Sequence, residues 1–116
     1  MRNKSCNSVK IFSPAYSRDE LVEILGEGLR KLAEVLPVKL AVLFGSWAKG
    51  RATAFSDIDL LVIYSDPPRE DAYKIVRKIL NVRGLEPHVY SENEAKQIEN
   101  TIRRMITDGI VLFNEV

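Results

Sequence analysis

The sequence predicts a small α/β domain, α+β-like in arrangement, in which a mixed β-sheet is flanked by helices. Three observations carry that expectation. The runs Val38–Phe44 and Asp57–Tyr64 are short and largely apolar, the second nearly continuously so, as a strand covered on both faces must be. Stretches with helical apolar spacing precede, separate and follow the strand-like runs. Glycine or proline stands at most element ends, as Pro37, Gly45, Pro67, Gly84 and Gly109, where each interrupts regular backbone. At 116 residues the chain fits one domain, since compact domains hold roughly 100–150 residues.

The elements follow in order. Residues 1–10 are polar and aperiodic and read as a flexible tail, leaving 11–116 as a single domain; Val9-Lys10-Ile11-Phe12 suits a short edge strand. Ser17 and Glu20 make a capping box. It opens a helix over 18–36, in which Leu21, Ile24, Leu25, Leu29, Leu32 and Leu36 form the apolar stripe and Pro37 ends the run. Val38–Phe44 is a buried strand stopped by Gly45. The small, polar stretch 46–56 is a connection with room for one helical turn. A strand over 57–64 leads to the Asp66-Pro67-Pro68 break and a helix over 69–82, which places Ala72, Ile75, Val76, Ile79 and Leu80 on one side. Residues 85–90 form a third strand, Ser91 and Glu94 cap a helix over 92–108, and 110–113 is an edge strand.

Charge and composition exclude several function classes. Seventeen Lys and Arg against sixteen Asp and Glu leave a net charge of +1, too balanced for bulk electrostatic grip on extended nucleic acid or for a polybasic membrane surface. The single cysteine, Cys6, rules out an internal disulfide, and with one histidine it rules out a Cys/His zinc site. No apolar stretch approaches the roughly 20 residues of a membrane span, and nothing near Met1 has the apolar core of a secretory signal. A cytoplasmic domain is the expectation.

The chemistry concentrates in Gly45-Ser46 and in Asp57-Ile58-Asp59, with ten residues between Ser46 and Asp57. Alternate strand residues share a face, so the two aspartates lie about 6.6 Å apart along the chain. Carboxylates crowded at the mouth of an apolar strand repel each other and resist desolvation, and a divalent cation relieves both penalties. Oxygen ligands favour Mg²⁺ or Mn²⁺ over zinc. If the strands 38–44 and 57–64 pair antiparallel, Gly45-Ser46 faces Asp57 and Asp59. The crossover helix then sets the third strand parallel to the second, which carries Glu86 to the same rim. Pro87 restricts that strand to an edge or to its own start. A glycine that admits close backbone approach, a serine hydroxyl and N–H donors beside such a cation make a triphosphate cradle. Two metals about 3.5–4 Å apart suit an in-line displacement.

Gly45-Ser46-Trp47-Ala48-Lys49-Gly50-Arg51 followed by Ser56-Asp57-Ile58-Asp59-Leu60-Leu61-Val62 resembles the signature of the DNA polymerase β-like nucleotidyltransferase superfamily, most of all its minimal members, over about residues 18–113. The resemblance implies the nucleotidyltransferase fold and an Mg²⁺-dependent enzyme, holding two ions with Mn²⁺ as the alternative, that moves an NMP from an NTP, ATP first, to a hydroxyl acceptor and releases pyrophosphate. It implies Gly45 and Ser46 at the triphosphate, and Asp57 and Asp59 at the metals. Glu86 stands where the family commonly has aspartate and reaches one methylene further. Lys49 replaces a frequent arginine and so loses bidentate phosphate contact. Minimal members often pair with a small helical HEPN-type protein. The alternative reading is therefore an antitoxin-like binding partner with weak or no catalysis; a homo-oligomer is the other assembly expected.

Plainer readings stand beside these. The aspartates could be a solvated strand start, Glu86 a surface carboxylate, and Lys49 and Arg51 a solvated loop instead of phosphate ligands. His88 shares a face with Glu86, which gives cleft lining as the alternative, but reads as structural. Trp47 reads as packed on the first helix, with base stacking the alternative. Arg103-Arg104 reads as a charged helix face.

Overall fold

In the computed structural model, which describes residues 17–52 and 56–115, the first capping box forms as expected. The Glu20 N–H donates to Ser17 Oγ at 3.1 Å and the Ser17 N–H to Glu20 Oε1 at 2.9 Å, opening α1, Arg18–Leu32. The helix stops four residues earlier than its apolar stripe. Residues 33–36 continue as turns, with Val35 and Leu36 N–H both donating to the Leu32 carbonyl at 3.0 and 2.8 Å, and Leu36 is nonetheless fully buried. Proline disfavours helical backbone at the residue before it, so Pro37 shortens the helix while the stripe keeps its burial. The tail expected at 1–10 and the strand expected at 9–12 lie outside the described residues.

The remaining elements are β1 (Val38–Phe44), β2 (Ile58–Tyr64), α2 (Ala72–Ile79), β3 (Leu85–Ser91), α3 (Glu92–Gln97), α4 (Glu99–Thr107) and β4 (Ile110–Asn114). They build a four-stranded sheet in the order β3-β2-β1-β4. β1 pairs antiparallel with both β2 and β4, and β2 pairs parallel with β3. This is the mixed sheet the motifs require. Among the described residues β3 is an edge strand, so the missing N–H of Pro87 breaks no interior ladder.

Two expectations are corrected. The helix expected at 69–82 is confined to Ala72–Ile79. The helix expected at 92–108 is two helices, because Ile98 takes a non-helical backbone (φ −121°, ψ 39°) and serves as C-cap of α3 and N-cap of α4. The chain must cross from one sheet edge to the other between β3 and β4, about three interstrand spacings or ~14 Å, and the break divides that crossing into two segments.

Each face of the sheet has its own core. Leu21, Leu25 and Leu29 of α1 and Val76 of α2 pack with Ala41, Leu43, Leu60 and Val62 on one face. Ala95 and Ile102 cover Val42, Leu61 and Ile63 on the other. A strand apolar at nearly every position, as β2 is, follows from burial on both sides. No helix of the described residues is long and apolar enough to cross a membrane.

Candidate active site

The first part of the site is the turn after β1. Gly45 has φ +79° and Gly50 φ +72°, left-handed values that glycine adopts without steric cost. Between them the chain makes one helical turn, with Lys49 N–H donating to the Gly45 carbonyl at 3.1 Å and Arg51 N–H to the Ser46 carbonyl at 2.8 Å. The N–H groups of Ser46, Trp47 and Ala48 find no acceptor inside such a turn, which suits them to a phosphate. Arg18 ties the turn to the start of α1, donating to the Ala48 carbonyl at 3.1 Å. Trp47 is buried in the α1-side core with Leu21 and Leu25, so it anchors the turn and is not placed to stack on a base. Lys49 and Arg51 are exposed.

The second part comes from the strand register. Phe44 is the cross-strand partner of Asp59, and Asp59 is the neighbour of Glu86. A Cβ built on Gly45 would collide with Asp59 Oδ2 and stand 3.3 Å from its Cγ; the absence of a side chain at 45 is what lets the turn close over the carboxylate. Asp57, exposed at the residue before β2, shares the Asp59 face by strand alternation. Burial pushes the Asp59 carboxyl above the ordinary aspartate value of 3.8, and Asp57 and Glu86 push it the same way against an opposing pull from His88. The turn and the carboxylates of β2 and β3 therefore meet at one rim of the sheet.

Burial of one carboxylate beside two others, next to a cradle that a Cβ would fill, fits a hard divalent cation held by oxygen. Among the described residues, no three or more His, Cys, Asp and Glu side chains are already gathered into a complete ligand set. The phosphates of a nucleotide would supply the missing oxygens.

His88 stands beside Asp59, on the face that it shares with Glu86. Its Nε2 lies 3.6 Å from Asp59 Oδ1, with the two side chains 32% and 30% exposed. Its ring packs on Phe44 with centroids 5.1 Å apart and planes tilted by 59°. The signal available in the sequence was its spacing of two from Glu86, which puts both on one face. Arg103 pairs with Glu99 at 2.8 Å and Arg104 Nε donates to the Asn100 carbonyl at 3.5 Å, an exposed, charged helix face.

The profile of the nucleotidyltransferase domain family matches residues 22–112, a span that runs from α1 through the Gly-Ser turn and the aspartates into β4. The chain belongs to that family. This nucleotidyltransferase domain is 41% identical over 64 residues to a Methanocaldococcus jannaschii protein, MJ1305, provisionally named a protein adenylyltransferase; the match takes in 52% of this chain and 44% of that one. The chain thus spans under half of that relative's length. In fold it is similar to a Sulfolobus solfataricus protein described as a nucleotidyltransferase, with TM-score 0.61 and 19% identity over 85% of each chain. It also resembles a chain in a complex of a tri-AMPylated Shewanella oneidensis HEPN toxin with an MNT antitoxin, with TM-score 0.52, 18% identity, and coverage of 81% of this chain and 73% of the other.

Proposed function

We propose that this domain transfers a nucleoside monophosphate, AMP in the first instance, from an NTP to a hydroxyl group of a partner protein, with release of pyrophosphate. The observation that carries the reading is the seating of the Gly45-Ser46 turn on Asp59, with Asp57 and Glu86 beside it. In the transfer, the acceptor oxygen forms a bond to the α-phosphorus and the bond from that phosphorus to the β-phosphate oxygen breaks. Pyrophosphate leaves with the electron pair.

The residues divide the work by position. The backbone N–H groups of the turn and the Ser46 hydroxyl donate to phosphate oxygens and orient the triphosphate. Lys49 and Arg51, exposed on the same turn, screen its charge. Asp57, Asp59 and Glu86 would hold divalent cations, two Mg²⁺ or Mn²⁺ in this reading. Such cations neutralise the developing charge and raise the nucleophilicity of the acceptor oxygen. Glu86, exposed at the edge strand, is open to solvent and can take the acceptor's proton on a carboxylate oxygen.

A protein acceptor is supported by the provisional name of the Methanocaldococcus jannaschii relative and by the AMPylated toxin in the Shewanella oneidensis complex. The pairing of toxin with antitoxin in that complex, taken without its AMPylation, is what a second reading draws on, in which this chain binds a small helical HEPN-type partner without modifying it. The test incubates the protein with Mg²⁺, cell extract and ATP labelled at either the α- or the γ-phosphate. Nucleotidyl transfer labels a protein from the α-position alone. A partner that co-purifies at fixed stoichiometry and takes up no label from either position favours the second reading.

A further inference from the structure

Asp59 is flanked on two sides by residues of two different strands. Its Oδ2 lies against Gly45 at the end of β1, and its Oδ1 faces His88 Nε2 of β3 at 3.6 Å. That nitrogen is buried and, among the described residues, has no hydrogen-bond partner, a costly state for a buried polar atom. The Asp59 carboxylate is the acceptor it faces. A closing movement of about half an ångström brings the pair within hydrogen-bond length, and site contacts commonly tighten when ligands bind. The contact requires the proton on Nε2. Phe44, cross-strand partner of Asp59, packs its ring on the imidazole and limits where it can turn.

We infer that His88 is a positioning residue: its Nε2–H holds Oδ1 of Asp59 and so fixes the direction in which that carboxylate is offered to a divalent cation. Nε2 is buried and faces Asp59, so this nitrogen acts on the carboxylate and does not itself touch the acceptor or the nucleotide. Carboxylates that ligate metals are themselves held by hydrogen bonds, and loss of such an outer partner typically weakens metal binding about 10–100-fold. This role rests on the reading of Asp59 as a metal ligand proposed above.

The experiment titrates Mn²⁺ alone by electron paramagnetic resonance into the wild type, His88→Phe, His88→Gln and Asp59→Asn, with a thermal midpoint for each. Phenylalanine keeps a ring against Phe44 and removes the donor. Glutamine restores an N–H donor at similar reach. The expected result is a loss of Mn²⁺ affinity of about 10–100-fold in His88→Phe at an unchanged midpoint, with most of that loss recovered in His88→Gln. Wild-type affinity in His88→Phe overturns the inference. Should that variant melt early, His88→Gln decides: retained affinity upholds the role and lost affinity overturns it. A wild type that binds no Mn²⁺, or an Asp59→Asn variant that binds it equally well, overturns the metal-ligand reading itself and this role with it.

Discussion

Oδ2 of Asp59 occupies the space that a Cβ on residue 45 would need. The same glycine holds φ +79°, so residue 45 is constrained twice, by its own backbone and by a side chain on the neighbouring strand. Gly84 separates these two constraints, because it has φ +83° with open space around its Cβ position. Gly84→Ala is expected to lose about 1–2 kcal/mol, the cost of a left-handed non-glycine residue, and to keep its activity. Gly45→Ala is expected to lose more and to lose transfer activity as well, since the carboxylate must move. Urea unfolding beside an α-label transfer assay measures both.

Asp59 sets a pH dependence whose sign is definite. Its carboxyl is raised above the ordinary value of 3.8, chiefly by burial, so the native state holds a proton that the unfolded chain releases. Between the two values the native state binds more protons, and stability therefore falls as pH rises through that window. Asp59→Asn removes the half-buried charge. It should unfold at higher denaturant than the wild type at neutral pH, with the difference fading below the unfolded value, while transfer activity is abolished. Equilibrium unfolding across that pH range, without divalent cations, gives the comparison.

Trp47 is the sole tryptophan of the chain and is 5% exposed. Its emission should be blue-shifted, resistant to a soluble quencher and unmoved by ATP. Trp47→Ala should cost about 3–5 kcal/mol, the usual loss for emptying a large aromatic site. Emission that responds to ATP in the native protein would put the indole at the nucleotide.

The Ser46 hydroxyl is expected to contribute one hydrogen bond to a charged phosphate, worth about 1.5–3 kcal/mol. Ser46→Ala should weaken Mg-ATP binding on the order of tenfold or more, with the thermal midpoint nearly unchanged. Calorimetric titration checks it. Equal affinity would reduce Gly45-Ser46 to strand punctuation.

The parts of the site legible in the sequence are those fixed by strand alternation and connection length. Asp57 and Asp59 had to share a face, and the connection from Gly45 to Ser56 had room for the turn that an antiparallel β1–β2 pair requires. A crossover helix then set Glu86 beside Asp59, the register found. The break at Ile98 left no such mark. Ala95, Ile98, Ile102, Met105 and Ile106 all pack toward one core, and their spacing is that of an unbroken helix. The contacts of His88 were not legible for a different reason: they depend on Asp59 and Phe44, which lie on two other strands, and pairwise depth across a sheet is not encoded in local spacing. Trp47 was read correctly because a large aromatic within a tight turn usually anchors it to the core.

The most direct test of the central claim follows the α-phosphate. Wild-type protein, Asp57→Asn and Asp59→Asn are each given Mg²⁺, α-labelled ATP and cell extract, and both protein-bound label and pyrophosphate are quantified. The account predicts one pyrophosphate released for each label transferred by the wild type, and neither product from the two variants. Equal labelling by all three proteins, or label transferred without pyrophosphate, would contradict it.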